Sequence, residues 1–489
     1  MRNPRPKGAS LGKDALLLTV AKVATLVITM VSGMLLSRFR TLEEYGTYSQ
    51  INMVITLAIS LFTLGLPNSI NYFIARTDNV EERRHFLSSY YTLNTLLCAI
   101  MGITLFALTP VFELYFKNAY IRCFAYVFLA LPWSQVIISS IQNFLVVYHK
   151  SHLLVYFTIS HSLATLLVVL LAVWLQWSFS LYMVVFIIES VLFALLVYGI
   201  VWRVAGRIRV QLDWRLIRQI FVYSVPLGLA TVVGTLKTET DKLLIGFFYT
   251  TEQLAIYSNA SKELPLSIFA TSLTAVLLPK MVTELNAGRK KEALHLWGTA
   301  TIISYVIICF FTVGLFTYAP EVMSLFYSEK YLSGVPVFRI YTLLSLLRCT
   351  YFGMILNSSG KTKLIFYSSI AALVLNVALN FVFYRLFGFI GPALATIVAT
   401  IFSTFFLLAA TSHSIKVPFR EIFPWKQLGI ITGINIVLGI VFYFLKKALP
   451  LQAYIGEIGE SLLLGCLWGV LYAGLMFRYV YKKYRILNQ

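Results

Sequence analysis

The sequence predicts an all-α integral membrane protein of about 14 transmembrane helices, arranged as two parallel six-helix lobes followed by two C-terminal helices. Three observations carry that expectation. The chain is too apolar for water, with 59% hydrophobic and 12% charged residues among 489 and a mean hydropathy of +0.80. Soluble chains carry about 25% charged residues. Apolar segments of about 20 residues, each long enough as helix to cross a ~30 Å hydrocarbon core, recur from end to end. Finally, two stretches some 210 residues apart resemble each other. Alternating ten-residue strands are absent from the pattern, which argues against a β-barrel.

Taken in order, the expected spans cover residues 14–37, 47–73, 88–110, 121–147, 153–174, 179–202, 217–247, 254–279, 295–318, 333–357, 364–384, 389–412, 427–446 and 460–480. The first follows Arg2, Arg5, Lys7 and Lys13, which could serve as the basic region of a signal peptide. Its apolar stretch is longer than a signal peptide requires and has no small-residue cleavage site before Arg38, so it is expected to remain as a spanning helix. An even number of spans puts both termini on one side. Of the 40 Lys and Arg, six lie at bilayer depth and eight in one set of loops, at Arg38, Arg40, Lys117, Arg122, Lys330, Arg385, Lys446 and Lys447. The other set and the termini hold the remaining 26, so both termini are expected in the cytoplasm. The same bias accounts for the net charge of +20 without a nucleic-acid partner.

Internal repetition defines the domains. Ser37-Arg-Phe-Arg-Thr-Leu-Glu-Glu-Tyr-Gly-Thr-Tyr-Ser49 aligns with Gly246-Phe-Phe-Tyr-Thr-Thr-Glu-Gln-Leu-Ala-Ile-Tyr-Ser258, pairing Phe39/Phe248, Thr41/Thr250, Glu43/Glu252, Tyr48/Tyr257 and Ser49/Ser258 at an offset of 209. His149 to Tyr156 pairs with Gly360 to Tyr367 at 211, and Pro67 with Pro279 at 212. These offsets place an N-terminal lobe at residues 1–202, a cytoplasmic linker at 203–218, a C-terminal lobe at 219–412, and the last two spans with a cytoplasmic tail at 413–489. Parallel repeats of this kind carry a substrate route between the halves, near the bilayer midplane.

Charges at bilayer depth are the candidate functional residues, because each costs about 2.5–3.5 kcal/mol on insertion scales and is kept where it faces water or a partner. The densest group is Thr235-Leu-Lys-Thr-Glu-Thr-Asp-Lys242, inside an apolar stretch. At about 100° per residue, Lys237 and Asp241 share one helix face and Glu239 and Lys242 a neighbouring one, so two internal pairs can form. A cavity wall and a set of neutralising pairs that fix helix packing are both open for this group. Lys22, Glu189, Lys262, Glu263, Arg339 and Arg348 complete the set. Six basic against four acidic groups favour an anionic ligand. Lys22 lies near enough to the cytoplasmic face to snorkel. Arg339 and Arg348 sit on opposite helix faces, and Arg348 is the better candidate because Arg339 is near the outer end. Glu189 is a candidate proton carrier or a neutral, hydrogen-bonded acid. Amides including Asn259, Asn376 and Asn380 supply a polar lining suited to hydroxyls.

Other chemistries leave no mark. There is no phosphate-cradling glycine loop, dinucleotide fingerprint, metalloprotease motif or nucleophile elbow, so no cofactor and no enzymatic activity are expected. The five cysteines, Cys98, Cys123, Cys309, Cys349 and Cys466, are widely separated and lack metal or redox spacing; buried thiols are the simple reading. The histidines, His161 among them, fall mostly in expected cytoplasmic loops and read as solvated.

The runs Leu36-Ser-Arg-Phe-Arg-Thr-Leu-Glu-Glu-Tyr-Gly-Thr-Tyr48, Gly65-Leu-Pro-Asn-Ser-Ile-Asn-Tyr-Phe-Ile-Ala-Arg76 and Thr240-Asp-Lys-Leu-Leu-Ile-Gly246, with Tyr257 and Leu278-Pro-Lys280, resemble the Wzx-type polysaccharide flippases. That family shares the multidrug/oligosaccharidyl-lipid/polysaccharide (MOP) exporter superfamily with the MATE exporters and the lipid II flippase. The resemblance implies a MATE-like fold in the bacterial inner membrane and the turning of an undecaprenyl-diphosphate-linked oligosaccharide from the cytoplasmic to the outer leaflet, for cell-surface polysaccharide such as O-antigen. Carried onto this chain, it makes Lys22, Lys237, Asp241, Lys242, Lys262 and Arg348 candidate substrate-contacting residues, and Glu189, Glu239 and Glu263 candidate sites for coupling to H+ or Na+. Polysaccharide polymerase and assembly proteins are candidate partners. The lipid II flippase pattern is only partly met, since Pro67-Asn68 is followed by Ser69, Ile70 and Asn71 with no arginine. A MATE-type drug and cation antiporter, a lipid II flippase and a non-transporting scaffold remain alternatives.

The charge asymmetry makes a direct prediction. In a cysteine-free background, Lys150→Cys and Lys361→Cys label from the same membrane face as the termini with an impermeant maleimide, and Lys117→Cys and Arg385→Cys label from the other.

Overall fold

The structure, a computed structural model, describes residues 8–449 and 451–488; the basic N-terminal residues Arg2, Arg5 and Lys7 lie outside the described residues. Every regular element among these residues is helical. Contacts along the chain divide it into two compact units, residues 1–239 with 246–255, and residues 240–245 with 256–489.

The first unit contains α1 (Gly8–Phe39), α2 (Leu42–Thr63), α3 (Leu66–Ala75), α4 (Val80–Ala107), α5 (Thr109–Phe116), α6 (Tyr120–Cys123), α7 (Val127–Val147), α8 (Ser151–Trp174), α9 (Phe179–Ala205) and most of α10 (Trp214–Phe248). Helix α7 packs against both α4 and α9, and α1 lies along α8. Their shared core is apolar and aromatic, with Leu87, Tyr90, Ile137, Phe144, Val197 and Ile220 fully buried. On α9, Leu181, Val184, Ile188, Leu192 and Leu195 form an exposed apolar stripe, while Met183, Ala194, Val197 and Val201 are buried. A helix apolar on both faces, with one face uncovered, is built for hydrocarbon.

The break between α2 and α3 is the sharpest feature of this unit. Leu64 and Gly65 both adopt left-handed backbone conformations, φ +41° and +73°, and the two helices meet at 41°. Pro67 sits in the first turn of α3, where its fixed φ is favourable and its missing N–H costs nothing. Helix α10 closes over the break at Gly228, where an added Cβ would come within 2.1 Å of the Leu64 carbonyl carbon. Only a glycine permits this approach.

The internal repeat seen in the sequence has a structural counterpart. Thr41 caps α2 by accepting from the Glu44 amide at 3.1 Å, while Glu44 accepts from the Thr41 amide at 3.2 Å. Thr250 and Gln253 make the same reciprocal pair at the start of α11 (Thr251–Ala260), at 3.3 and 3.2 Å. Lys150 and Lys361 likewise occupy equivalent positions immediately before α8 and α17 (Thr362–Phe387).

The second unit continues with α12 (Ser267–Asn286), α13 (Lys290–Thr317), α14 (Ala319–Tyr327), α15 (Val335–Leu344), α16 (Met354–Ser358), α17, α18 (Gly391–Ile415), α19 (Trp425–Ala448) and α20 (Gln452–Asn488). Helix α13 is its axis, and α12, α19 and α20 pack around it. Trp468, fully buried on α20, stacks on Phe442 at 5.6 Å and meets Phe310 of α13 at 5.9 Å, which fixes the last two helices to this unit. Helices α17 and α18 form a tight pair joined by a short 3₁₀ turn, Gly388–Ile390.

Among the described residues, ten segments are long and apolar enough to cross a membrane, or up to 12 if the two bent pairs each count once; one of the ten, Thr362–Ile415, contains both α17 and α18. The chain is a multi-pass membrane protein. The expectation of continuous spans at 47–73, 254–279 and 333–357 needs correction. The first breaks at Leu64–Gly65, between α2 and α3, the second is interrupted at residues 261–266, between α11 and α12, and the third is divided into α15, a 3₁₀ turn at Ser345–Arg348, and α16. Three of the five cysteines are buried, but Cys123 and Cys466 are exposed; all are free thiols.

The closeness of Gly228 to Leu64 yields a test. Gly228→Ala forces the break and α10 apart and costs about 1–3 kcal/mol, which a thermal-unfolding shift of the purified protein in detergent reads directly, whereas Gly234→Ala, with open space around it, shows no such loss.

Candidate functional site

Inside the second unit the polar residues gather around the interruption between α11 and α12. Asp241, on α10, is only 1% exposed. Its Oδ2 accepts a hydrogen bond from the Tyr257 hydroxyl at 3.1 Å and another, short one from the Tyr341 hydroxyl of α15. Its Oδ1 accepts from the Lys242 backbone amide at 2.9 Å. Three donors therefore satisfy a carboxylate that hydrocarbon alone could not tolerate.

The interruption itself carries Lys262 and Glu263. Helix α11 ends at Ala260, and the six residues before α12 include Pro265, which cannot continue a helical hydrogen-bond ladder. Lys262 donates to Asn259 Oδ1 at 2.8 Å and lies 5.8 Å from the ring centre of Tyr327. Glu263 forms an ion pair with Arg348 at 2.5 Å. Although adjacent, Lys262 and Glu263 thus have different partners, in a stretch that is not helical.

The remaining candidates lie in the first unit. Lys22 is exposed on α1, and Lys237 and Glu239 are half-buried on the first unit's part of α10. Glu189 is buried on α9, with His161 Nε2 of α8 at 3.7 Å and the Thr165 hydroxyl donating at 3.4 Å. His161 was read as solvated with the other histidines, although the expected span 153–174 contains it. It stands instead in the middle of α8, and its near-central position in the expected span 153–174, opposite Glu189 in the span 179–202, was the signal that could have paired them. Asn376 and Asn380 are also buried together, Asn380 donating to Asn376 Oδ1 at 3.2 Å and Asn376 to the Thr396 hydroxyl at 3.1 Å, so they join α17 to α18. Tyr257, Tyr341 and Tyr327 were not singled out from the sequence as site residues. No cluster of His, Cys, Asp and Glu suited to a metal ion occurs among the described residues.

The family model for polysaccharide biosynthesis proteins matches residues 11–284, more than half of the chain. The chain belongs to the polysaccharide biosynthesis protein family. The resemblance drawn from the Leu36–Tyr48, Gly65–Arg76 and Thr240–Gly246 motifs is thereby borne out, since all three lie inside the matched region. Among the relatives of this polysaccharide biosynthesis protein is a probable low-salt glycan biosynthesis flippase of Haloferax volcanii, 19% identical over 257 residues that make up 52% of each chain. The chain spans about half the length of the curated relatives it matches. Its fold is similar to that of the lipid II flippase MurJ, a structure described as inward closed, with a TM-score of 0.74 at 17% identity over 95% of this chain and 100% of that one. A multidrug resistance MATE family transporter of the MOP superfamily, in an inward-facing conformation, gives 0.62 at 15% identity over 80% and 95%. At these identities the likeness extends to the fold alone, and it bears out the all-helical, MATE-like expectation.

The shared carboxylate oxygen supplies a second test. Tyr257→Phe and Tyr341→Phe each remove a donor to a buried charge and cost about 1.5–3 kcal/mol; because both donate to one oxygen, the double variant departs from the sum of the singles in thermal-unfolding measurements.

Proposed function

We propose that this protein flips a polyprenyl-diphosphate-linked oligosaccharide from the cytoplasmic to the outer leaflet by alternating access, for cell-surface polysaccharide assembly. The observation that carries this reading is the match of residues 11–284 to the polysaccharide biosynthesis family, within which a helix interruption carries Lys262, held by Asn259, and Glu263, paired with Arg348. Charged groups kept at bilayer depth mark substrate routes. Interrupted helices near the midplane are also where transporters of repeated architecture hold their substrates. Lys22 and Lys237 are proposed as further contacts for the diphosphate, whereas Asn376 and Asn380 are engaged with each other and with Thr396.

The family supports the substrate class, and the Haloferax relative supports flipping as the reaction. A diphosphate carries about two negative charges, and moving each outward down an inside-negative potential of 100 mV releases roughly 2.3 kcal/mol. The membrane potential therefore drives export. Of the three carboxylates considered for ion coupling, Glu263 is committed to Arg348, whereas Glu189 faces His161, a second group able to exchange a proton; Glu189 is the better proton site.

Proteoliposomes loaded with a lipid-linked oligosaccharide test this reading. Lys242→Gln and Lys262→Gln each lower the flipping rate at least tenfold while the protein elutes and unfolds as the parent does, and an imposed inside-negative potential accelerates the parent. An unchanged rate in both variants, or a parent that moves cationic dyes and leaves the oligosaccharide in place, refutes it. Glu189→Gln keeps potential-driven flipping and removes any response to a pH gradient.

A further inference from the structure

At the end of the second unit that the charge asymmetry assigns to the cytoplasm lies a cavity of about 1030 Å³, remote in sequence from Lys242, Lys262 and Arg348. Three segments wall it: the start of α13, the connection from α18 to α19, and the end of α20. Lys291, Lys416, Arg420, Lys426 and Lys483 line it, against one carboxylate, Glu421. None of these five cations has an ion-pair partner among the described residues. That is unlike the cations nearby, where Arg289 is held by Glu284 at 2.5 Å and Lys290 donates to the Ile415 carbonyl at 3.2 Å.

Two more features point the cavity toward an anion. Helices α13 and α19, of 28 and 24 residues, both present their first turns to the wall, and neither start has a capping side chain. Their backbone N–H groups and dipoles add positive potential where the lysines already supply it. The Thr299 hydroxyl, on the wall and 1% exposed, has no hydrogen-bond partner among the described residues. A buried donor left unmet costs about 1–3 kcal/mol, and a phosphate oxygen would meet it.

The rest of the wall fixes the class of ligand. Val417, Ile422, Phe423 and Ile302 are apolar, and Trp425 stacks with Phe419 at 5.7 Å and Phe405 at 5.9 Å. Such aromatic clusters mark the depth of lipid headgroups, and basic pockets between helices on the cytoplasmic side receive anionic headgroups there. We propose that this cavity binds the phosphate headgroup of an anionic phospholipid from the cytoplasm-facing leaflet. Its lining shares no residue with the proposed flipping path, and its test reads binding without any transport assay.

Full-length protein purified in detergent is titrated with phosphatidylglycerol, phosphatidylcholine and inorganic phosphate, and bound lipid is counted by native mass spectrometry. Phosphatidylglycerol is retained in preference to phosphatidylcholine. Lys416→Gln/Arg420→Gln/Lys426→Gln weakens its binding roughly a hundredfold, from about fivefold per charge. The charge-preserving Lys416→Arg/Arg420→Lys/Lys426→Arg retains it, and neutralising Lys330, Arg385 and Lys447 on the opposite face leaves it unchanged. If the triple variant does not elute as a folded protein, Lys426→Gln alone shows a loss of about fivefold. Equal binding by parent and neutralised variants, equal retention of phosphatidylcholine, or displacement of the lipid by inorganic phosphate at equal concentration overturns the proposal.

Discussion

Hydrocarbon offers no hydrogen-bond partner, so a transmembrane helix can be interrupted only where other protein covers the gap. The breaks in this chain obey that constraint one by one. At Leu64–Gly65 the cover is α10, brought into contact by Gly228. At residues 261–266 it is a set of side-chain partners, Asn259 for Lys262 and Arg348 for Glu263. Beyond Arg348, α13 provides it: Ser304 donates to the Cys349 carbonyl, and Trp297 Nε1 to the Thr350 hydroxyl at 2.9 Å. Each interruption thereby becomes a place where polar atoms can exist at depth.

Charge follows the same rule. Asp241 is tolerable because three donors surround it, and Arg348 because Glu263 meets it. The duplication did not supply this chemistry. At the repeat offset of 209, Lys237, Asp241 and Lys242 correspond to Ile28, Ser32 and Gly33, so the first copy of the helix is apolar or small where the second is charged. The aligned helix caps recur at both positions, while the charged side chains stand at only one.

This contrast explains what could be read from the chain alone. Apolar length and the basic asymmetry are local statistics, and they suffice for an all-helical membrane protein. The motif around Thr41 and Thr250 is also local, and it revealed the repeat. The partners of the site are not local. Tyr341 is 100 residues from Asp241 and Glu263 is 85 from Arg348, and no pattern in either segment names the other. The helix interruptions were legible only in part. Gly65-Leu-Pro67 and Pro265 mark two of them in retrospect, but a proline within a spanning segment is compatible with a continuous kinked helix, as Pro132 in α7 shows. Glu189 and His161 could have been matched by depth in neighbouring spans, and were missed because histidine was weighed by type and not by position.

The paired helix caps of α2 and α11 are alike in geometry and unlike in substance. One closes with the carboxylate of Glu44, the other with the amide of Gln253. An amide keeps two N–H donors to spend on a neighbour, whereas a carboxylate only accepts, so two turns matched in form differ in the company each can keep.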